Sequence, residues 1–221
     1  IQEYHKSLIK LYTRFEEACK EYNVKTWASG GTLLGAVRDK KIIEWDDDID
    51  VEIFENDYKI LVKNASAIQN KFGISLRDWR WDMADSLKVQ FTNTHINPKP
   101  FIDVVCMKYD SDSDKTVIKS KLIREIYPNC YHTGKVDVEK LKKIPLNNIL
   151  IPVPEKTDML KNCYGSDWRI PKKRYAHYFW IDKEMPLLLK IYVCIMLVSL
   201  LIPIGLLAVA VSRQYKQKKR L

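Results

Sequence analysis

SGGTLLGAVRDKKIIEWDDDIDVEIF, residues 29–54, decides how the rest of the chain is read. Ser29, Gly30, Gly31 and Thr32 mark a tight turn that opens a short helix, and VEIF alternates with the period of a strand. Between them Asp46, Asp47, Asp48 and Asp50 crowd four carboxylates into five positions. A solvated acidic turn is the ordinary explanation for such a run, so the surroundings must decide. In an extended strand Asp46, Asp48 and Asp50 share one face while Asp47 points away. Asp48 and Asp50 then sit roughly 7 Å apart, and at an effective dielectric near 20 they repel by about 2 to 3 kcal/mol. A folded domain keeps that arrangement when a cation offsets it. All-oxygen ligands of this kind suit Mg2+ or Mn2+ rather than zinc.

Asp103 stands alone inside the apolar run FIDVVCM, where a carboxylate without partners is costly to bury. A strand beside DDIDV would bring it to the same ion. The helix start at Gly30, Gly31 and Thr32 presents backbone N–H groups suited to a phosphate, and Arg38 and Lys88 are secondary cationic candidates. Trp27 and Trp45 flank the turn and the carboxylates, with core packing as their expected work.

The apolar spacing of Tyr4, Leu8, Leu11, Tyr12, Phe15, Cys19 and Tyr22 predicts an amphipathic opening helix. VKTWA at 24–28 reads as a strand, residues 58–68 as one helix, and GISLRDW, SLKVQF and FIDVVCM as three more strands. This order predicts a mixed sheet flanked by helices, an α/β (α+β) fold. From about 115 the pattern predicts a helix through Ile126, and Pro154 a later helix that ends near Gly165.

Residues 191–211, IYVCIMLVSLLIPIGLLAVAV, carry no charge over the length needed to cross roughly 30 Å of hydrocarbon. The net charge of +9 includes five charges from Arg213, Lys216, Lys218, Lys219 and Arg220 on the tail. The remainder is too close to neutral to argue for nucleic acid. The terminal KKRL resembles a dilysine retrieval signal, and NAS at Asn64 is a glycosylation sequon. Together these favour a single-pass membrane protein of the endoplasmic reticulum or Golgi with a lumenal domain; tail anchoring, with the domain in the cytosol, is the competing topology. Among Cys19, Cys106, Cys130 and Cys163, up to two disulfides fit an oxidising lumen, with the pairing open. A zinc site of Cys130, His132, Cys163 and His177 is a further arrangement, which no CxxC spacing favours.

SGGTLLGAVRDKKIIEWDDDIDVEIF, followed by FIDVV and by VPEKTDMLKNCYGSDWRIP with KKRYAH, resembles the LicD-type phosphotransferases, the family of the bacterial LicD proteins, fukutin and fukutin-related protein. The resemblance covers roughly residues 1–180. It implies a nucleotidyltransferase-like fold, a divalent metal, a CDP-linked donor and a glycan acceptor, with phosphocholine or an alditol phosphate such as ribitol phosphate transferred and CMP released. Carried onto this sequence, it implies Asp48, Asp50 and Asp103 as metal and catalytic residues. Gly30, Gly31, Thr32, Arg38 and Lys88 fall at the donor, and Tyr164, Gly165, Asp167, Arg174 and His177 on the substrate side. The chain then divides into a catalytic domain at 1–180, a juxtamembrane stalk at 181–190, a transmembrane helix at 191–212 and a basic tail at 213–221. A nucleotidyltransferase that releases pyrophosphate, and a non-catalytic membrane-tethered interaction protein, are the alternative readings.

Overall fold

The computed structural model describes residues 2–78 and 86–172. Helix α1 (Gln2–Glu21) buries Leu8, Leu11, Tyr12, Phe15, Ala18 and Cys19, the stripe that its three-and-four spacing dictates. Strand β1 (Thr26–Ala28), helix α2 (Gly30–Arg38) and strand β2 (Asp48–Phe54) follow. Then come α3 (Glu55–Lys63), α4 (Ala65–Phe72), β3 (Ile74–Asp78), β4 (Ser86–Phe91) and β5 (Phe101–Asp110). The main sheet runs β1-β2-β5-β4-β3. Strands β2 and β5 are parallel, whereas β1 pairs with β2, β4 with β5 and β3 with β4 antiparallel. A parallel pair needs a long crossover, and α3, α4 and the β3–β4 hairpin supply it. The mixed α/β architecture is the one expected.

Alternation gives the sheet two unlike faces. Ile49, Val51 and Ile53 of β2, Ile102, Val104 and Cys106 of β5, and Leu87 and Val89 of β4 are buried. Apart from Cys106, these residues form the main core with the apolar stripe of α1 and with Ile68 of α4. The intervening residues, Asp48, Asp50 and Glu52 on β2, Asp103 on β5 and Lys88 on β4, share the opposite face. Further along that face Trp27, Met107, Ile118 and Val136 form a second, smaller core.

The later chain departs from the expected pattern in instructive ways. The helix predicted over 58–68 is broken at Asn64, whose backbone (φ −102°, ψ 9°) ends α3 and begins α4. Its amide Nδ2 donates to the Ile60 carbonyl at 2.8 Å, the local competition that makes asparagine a boundary residue. Instead of a helix from 115, strand β6 (Lys115–Ile118) pairs with β5, and only α5 (Lys121–Ile126) is helical. Ser120 caps α5 by accepting from the Ile123 N–H. Strand β7 (Tyr131–Thr133) pairs with β6. Pro154 does not open a helix: it follows β9 (Ile149–Val153), which forms a hairpin with β8 (Lys142–Leu146), and α6 (Asp158–Tyr164) starts later. The hairpin turns at Asn147 and Asn148, with Asn147 at φ 54°, a conformation that asparagine tolerates.

Cys130 and Cys163 form a disulfide, while Cys19 and Cys106 are buried and belong to no disulfide. The zinc arrangement fails on this count, because two of its ligands are spent on each other. Among the described residues no helix is long and apolar enough to cross a membrane. The span at 191–212, the stalk at 181–190 and the tail at 213–221 lie outside them.

Candidate active site

Parallel pairing of β2 and β5 sets Asp50 directly beside Asp103. Asp48, two residues back on β2, projects from the same face. One carboxylate oxygen from each of Asp48, Asp50 and Asp103 lies within 4.8 Å of the other two. Asp48 is 2% exposed, and Asp50 and Asp103 are half-buried. Burial, then repulsion from Asp46, Asp103 and Asp47, pushes the Asp48 carboxyl well above the usual carboxylate range. Burial and the charges of Asp48, Asp46 and Asp103 do the same to Asp50. Three hard oxygens converging where like charges oppose one another fit a divalent cation of the magnesium class.

Asp47 does not point away as a regular strand would require, because β2 begins only at Asp48. Oxygens of Asp46, Asp47 and Asp48 also come within 4.8 Å of one another. The amino end of α1 holds this irregular segment: Tyr4 Oη donates to the Asp47 carbonyl at 3.0 Å and His5 Nε2 to that of Asp46 at 2.8 Å.

The glycine turn grips Asp50 from several sides. Gly31 N–H donates to Asp50 Oδ2 at 3.0 Å, Asp50 N–H donates to Thr32 Oγ1 at 2.8 Å, and Ser29 N–H donates to the Asp50 carbonyl at 3.1 Å. Gly30 has φ +47°, and a Cβ there would meet Asp50 Oδ2 at 2.4 Å. Glycine is therefore required by both conformation and proximity. Thr32 is 2% exposed, its hydroxyl engaged with β2.

Lys88 on β4 registers with Asp103, and its Nζ lies 3.6 Å from Asp103 Oδ1 and 3.5 Å from the centre of the Phe101 ring. It faces the carboxylates rather than open solvent. Arg38 sits at the other end of α2 from the glycine turn. Its guanidinium donates to both carboxylate oxygens of Asp39, at 2.9 and 2.7 Å, and to the Trp168 carbonyl at 3.5 Å. That placement does not bring it to the turn. Tyr164 packs partly buried against the main core, Gly165 caps α6 at φ 88°, and Asp167 pairs with Lys172 on the surface. Arg174 and His177 lie outside the described residues. Trp27 is fully buried in the smaller core, the packing role expected of it.

Sequence reasoning missed Glu52. It lies two residues beyond Asp50 on the same face, 1% exposed. Its carboxylate accepts from Trp27 Nε1, Ser29 Oγ and His132 Nε2, each at 2.6 Å. His132, 2% exposed, has its pKa raised: burial lowers it, but the Glu52 charge and hydrogen bond, with Asp158 behind, outweigh that. The available signal was the glutamate inside the alternating strand DIDVEIF; its partner on β7 leaves no local trace.

The family model LicD/FKTN/FKRP, nucleotidyltransferase domain, matches residues 23–156. Lipopolysaccharide cholinephosphotransferase LicD of Haemophilus influenzae is 44% identical over 48 residues, which is 22% of this chain and 18% of that protein. An uncharacterized protein of Rickettsia prowazekii is 45% identical over 51 residues, 23% of this chain and 19% of its own length. The chain thus matches less than a fifth of the length of these relatives. Among solved structures, ANT(2")-Ia in complex with adenylyl-2"-tobramycin is 13% identical, with a TM-score of 0.36 over 66% of this chain and 67% of that one, too slight a likeness to inform the site. The family model spans more than half of the chain and contains every carboxylate of the cluster, and on that ground the chain belongs to the LicD/FKTN/FKRP nucleotidyltransferase-domain family.

Proposed function

We propose that this chain is a divalent-metal-dependent phosphotransferase that moves a phospho-alcohol, phosphocholine or an alditol phosphate such as ribitol phosphate, from a CDP-linked donor to a glycan hydroxyl and releases CMP. The observation that carries the reading is the convergence of Asp48, Asp50 and Asp103 within 4.8 Å on one face of two parallel strands. Family membership and the printed activity of the Haemophilus relative support it.

Asp48, Asp50 and Asp103 would hold the ion, Mg2+ or Mn2+. When bound, it supplies charge neutralisation on the donor diphosphate. The rest falls to the chain. Asp103, half-buried on β5, takes the proton of the acceptor hydroxyl. The acceptor oxygen bonds to the phosphorus bearing the alcohol as the bond from that phosphorus to the CMP oxygen breaks in line. Lys88, 3.6 Å from Asp103, adds positive charge beside the cluster for the donor phosphates. The turn at Gly30 and Gly31 keeps the Asp50 carboxylate in place beside the other two.

A lumenal position in the endoplasmic reticulum or Golgi, anchored through residues 191–212, belongs to the same proposal. The Cys130–Cys163 disulfide supports it, since such bonds persist in oxidising compartments. Protease protection of the domain in sealed microsomes is the expected result; digestion from outside would move it to the cytosol. For the reaction, CDP-choline, CDP-ribitol and CTP are incubated with the chain and an acceptor extract, with and without Mg2+. Metal-dependent CMP release from a CDP-alcohol is expected. Pyrophosphate release from CTP alone would replace this reading with nucleotidyl transfer.

A further inference from the structure

Ser29 occupies the N-cap of α2, where a serine hydroxyl ordinarily accepts from a backbone N–H in the first turn. Here it makes no such bond. It turns instead to Glu52 Oε1, 2.6 Å away, while its own N–H holds the Asp50 carbonyl. Burying a carboxylate at 1% exposure is costly without full pairing, and Glu52 is paired with Ser29, Trp27 and His132. The helix gains nothing from this hydroxyl; the turn that grips Asp50 does.

Behind Glu52 the linkage continues outward. His132 lies on β7, and the adjacent Thr133 N–H donates to Asp158 Oδ2 of α6 at 2.7 Å. Asn162 Nδ2 of α6 donates to the Tyr131 carbonyl at 3.1 Å, and the Cys130–Cys163 disulfide closes the same junction. Helix α6 is therefore fastened to β7, β7 to Glu52 through His132, and Glu52 to the glycine turn.

We infer that Ser29, Glu52 and His132 are positioning residues for the ion site: they fix the glycine turn, and through it the orientation of the Asp50 carboxylate, so that α6 acts on the ion site from a distance. The inference rests on the reading of Asp48, Asp50 and Asp103 as metal ligands. Groups that orient a ligand of this kind are commonly worth ten- to a hundredfold in metal affinity.

The test is direct titration of Mn2+ into the 221-residue chain, solubilised in detergent, by calorimetry or electron paramagnetic resonance, with thermal melts alongside. Ser29→Ala removes one neutral hydroxyl and no helix cap, so a rise of about tenfold in the Mn2+ Kd is expected with the fold intact. His132→Leu should weaken binding similarly, whereas His132→Gln, which keeps an N–H donor and adds no charge, should bind more tightly than His132→Leu. A purely structural role predicts a lowered Tm with Kd unchanged among molecules that remain folded. Values within twofold of the parent for Ser29→Ala and both His132 variants would overturn the inference while leaving the metal reading standing. Failure of the parent chain itself to bind Mn2+ would overturn the metal reading, and the inference with it. Should His132→Leu not fold, Ser29→Ala alone decides.

Discussion

Ile49 and Asp50 are neighbours on one strand and belong to different worlds. Ile49 is fully buried beneath the helices with Val51, Ile53, Ile102 and Val104, a face that the hydrophobic effect alone stabilises. Asp50 shares the other face with Asp48, Glu52, Asp103 and Lys88, where burial and like charge work against folding. The two faces teach that the fold and the site draw on opposite terms: the apolar face provides the stability that the acidic face spends. A strand with period 2 keeps these demands apart without an extra element.

That contrast can be broken at adjacent residues. Asp48→Asn should lower metal-dependent CMP release on the order of a hundred- to a thousandfold, as for loss of one preorganised electrostatic contact, in a steady-state assay. The same substitution should raise the Tm of the metal-free chain, because it removes a charge from a site where burial and Asp46 oppose it. Ile49→Ala should do the reverse, costing about 2 to 5 kcal/mol in denaturant unfolding and leaving the Mn2+ Kd of the folded protein unchanged. An Asp48→Asn chain with undiminished turnover, or an Ile49→Ala chain with altered metal affinity, would dissolve the distinction.

A smaller effect sharpens it. Folded Asp48 and Asp50 have raised pKa values, so the folded chain retains protons that the unfolded chain releases near pH 4. Stability of the metal-free protein therefore falls as pH rises from that range until both groups ionise. Differential scanning from pH 5 to 8 should show a declining Tm without metal and a gain on adding Mg2+ that is larger at pH 8. The smallest expected change is at Lys88, where Lys88→Gln should raise the donor or acceptor KM several-fold, since one partly exposed cation on the rim contributes modestly.

The apolar face was legible because alternation leaves a local record: VEIF, SLKVQF and FIDVVCM each became a strand. The carboxylate cluster was legible for the same reason, with the lone aspartate in FIDVVCM landing beside Asp50. What alternation does not encode was misread. Asp47 was assigned to the wrong side because the strand starts one residue later. Arg38 looked close in sequence to the glycine turn, but a nine-residue helix carries it to the opposite end. The β8–β9 hairpin was hidden by Pro145 and Pro152, although Asn147 and Asn148 between two apolar runs are the chemistry of a two-residue turn. Glu52 and His132, eighty positions apart, meet through β6 and β7, and no local pattern joins them.

Anomalous diffraction from crystals of the chain soaked in Mn2+ tests the central claim most directly. A peak lying among Asp48, Asp50 and Asp103, and missing from Asp48→Asn crystals, is the predicted result. Full-occupancy manganese elsewhere on the molecule, with no density between these carboxylates, would contradict it.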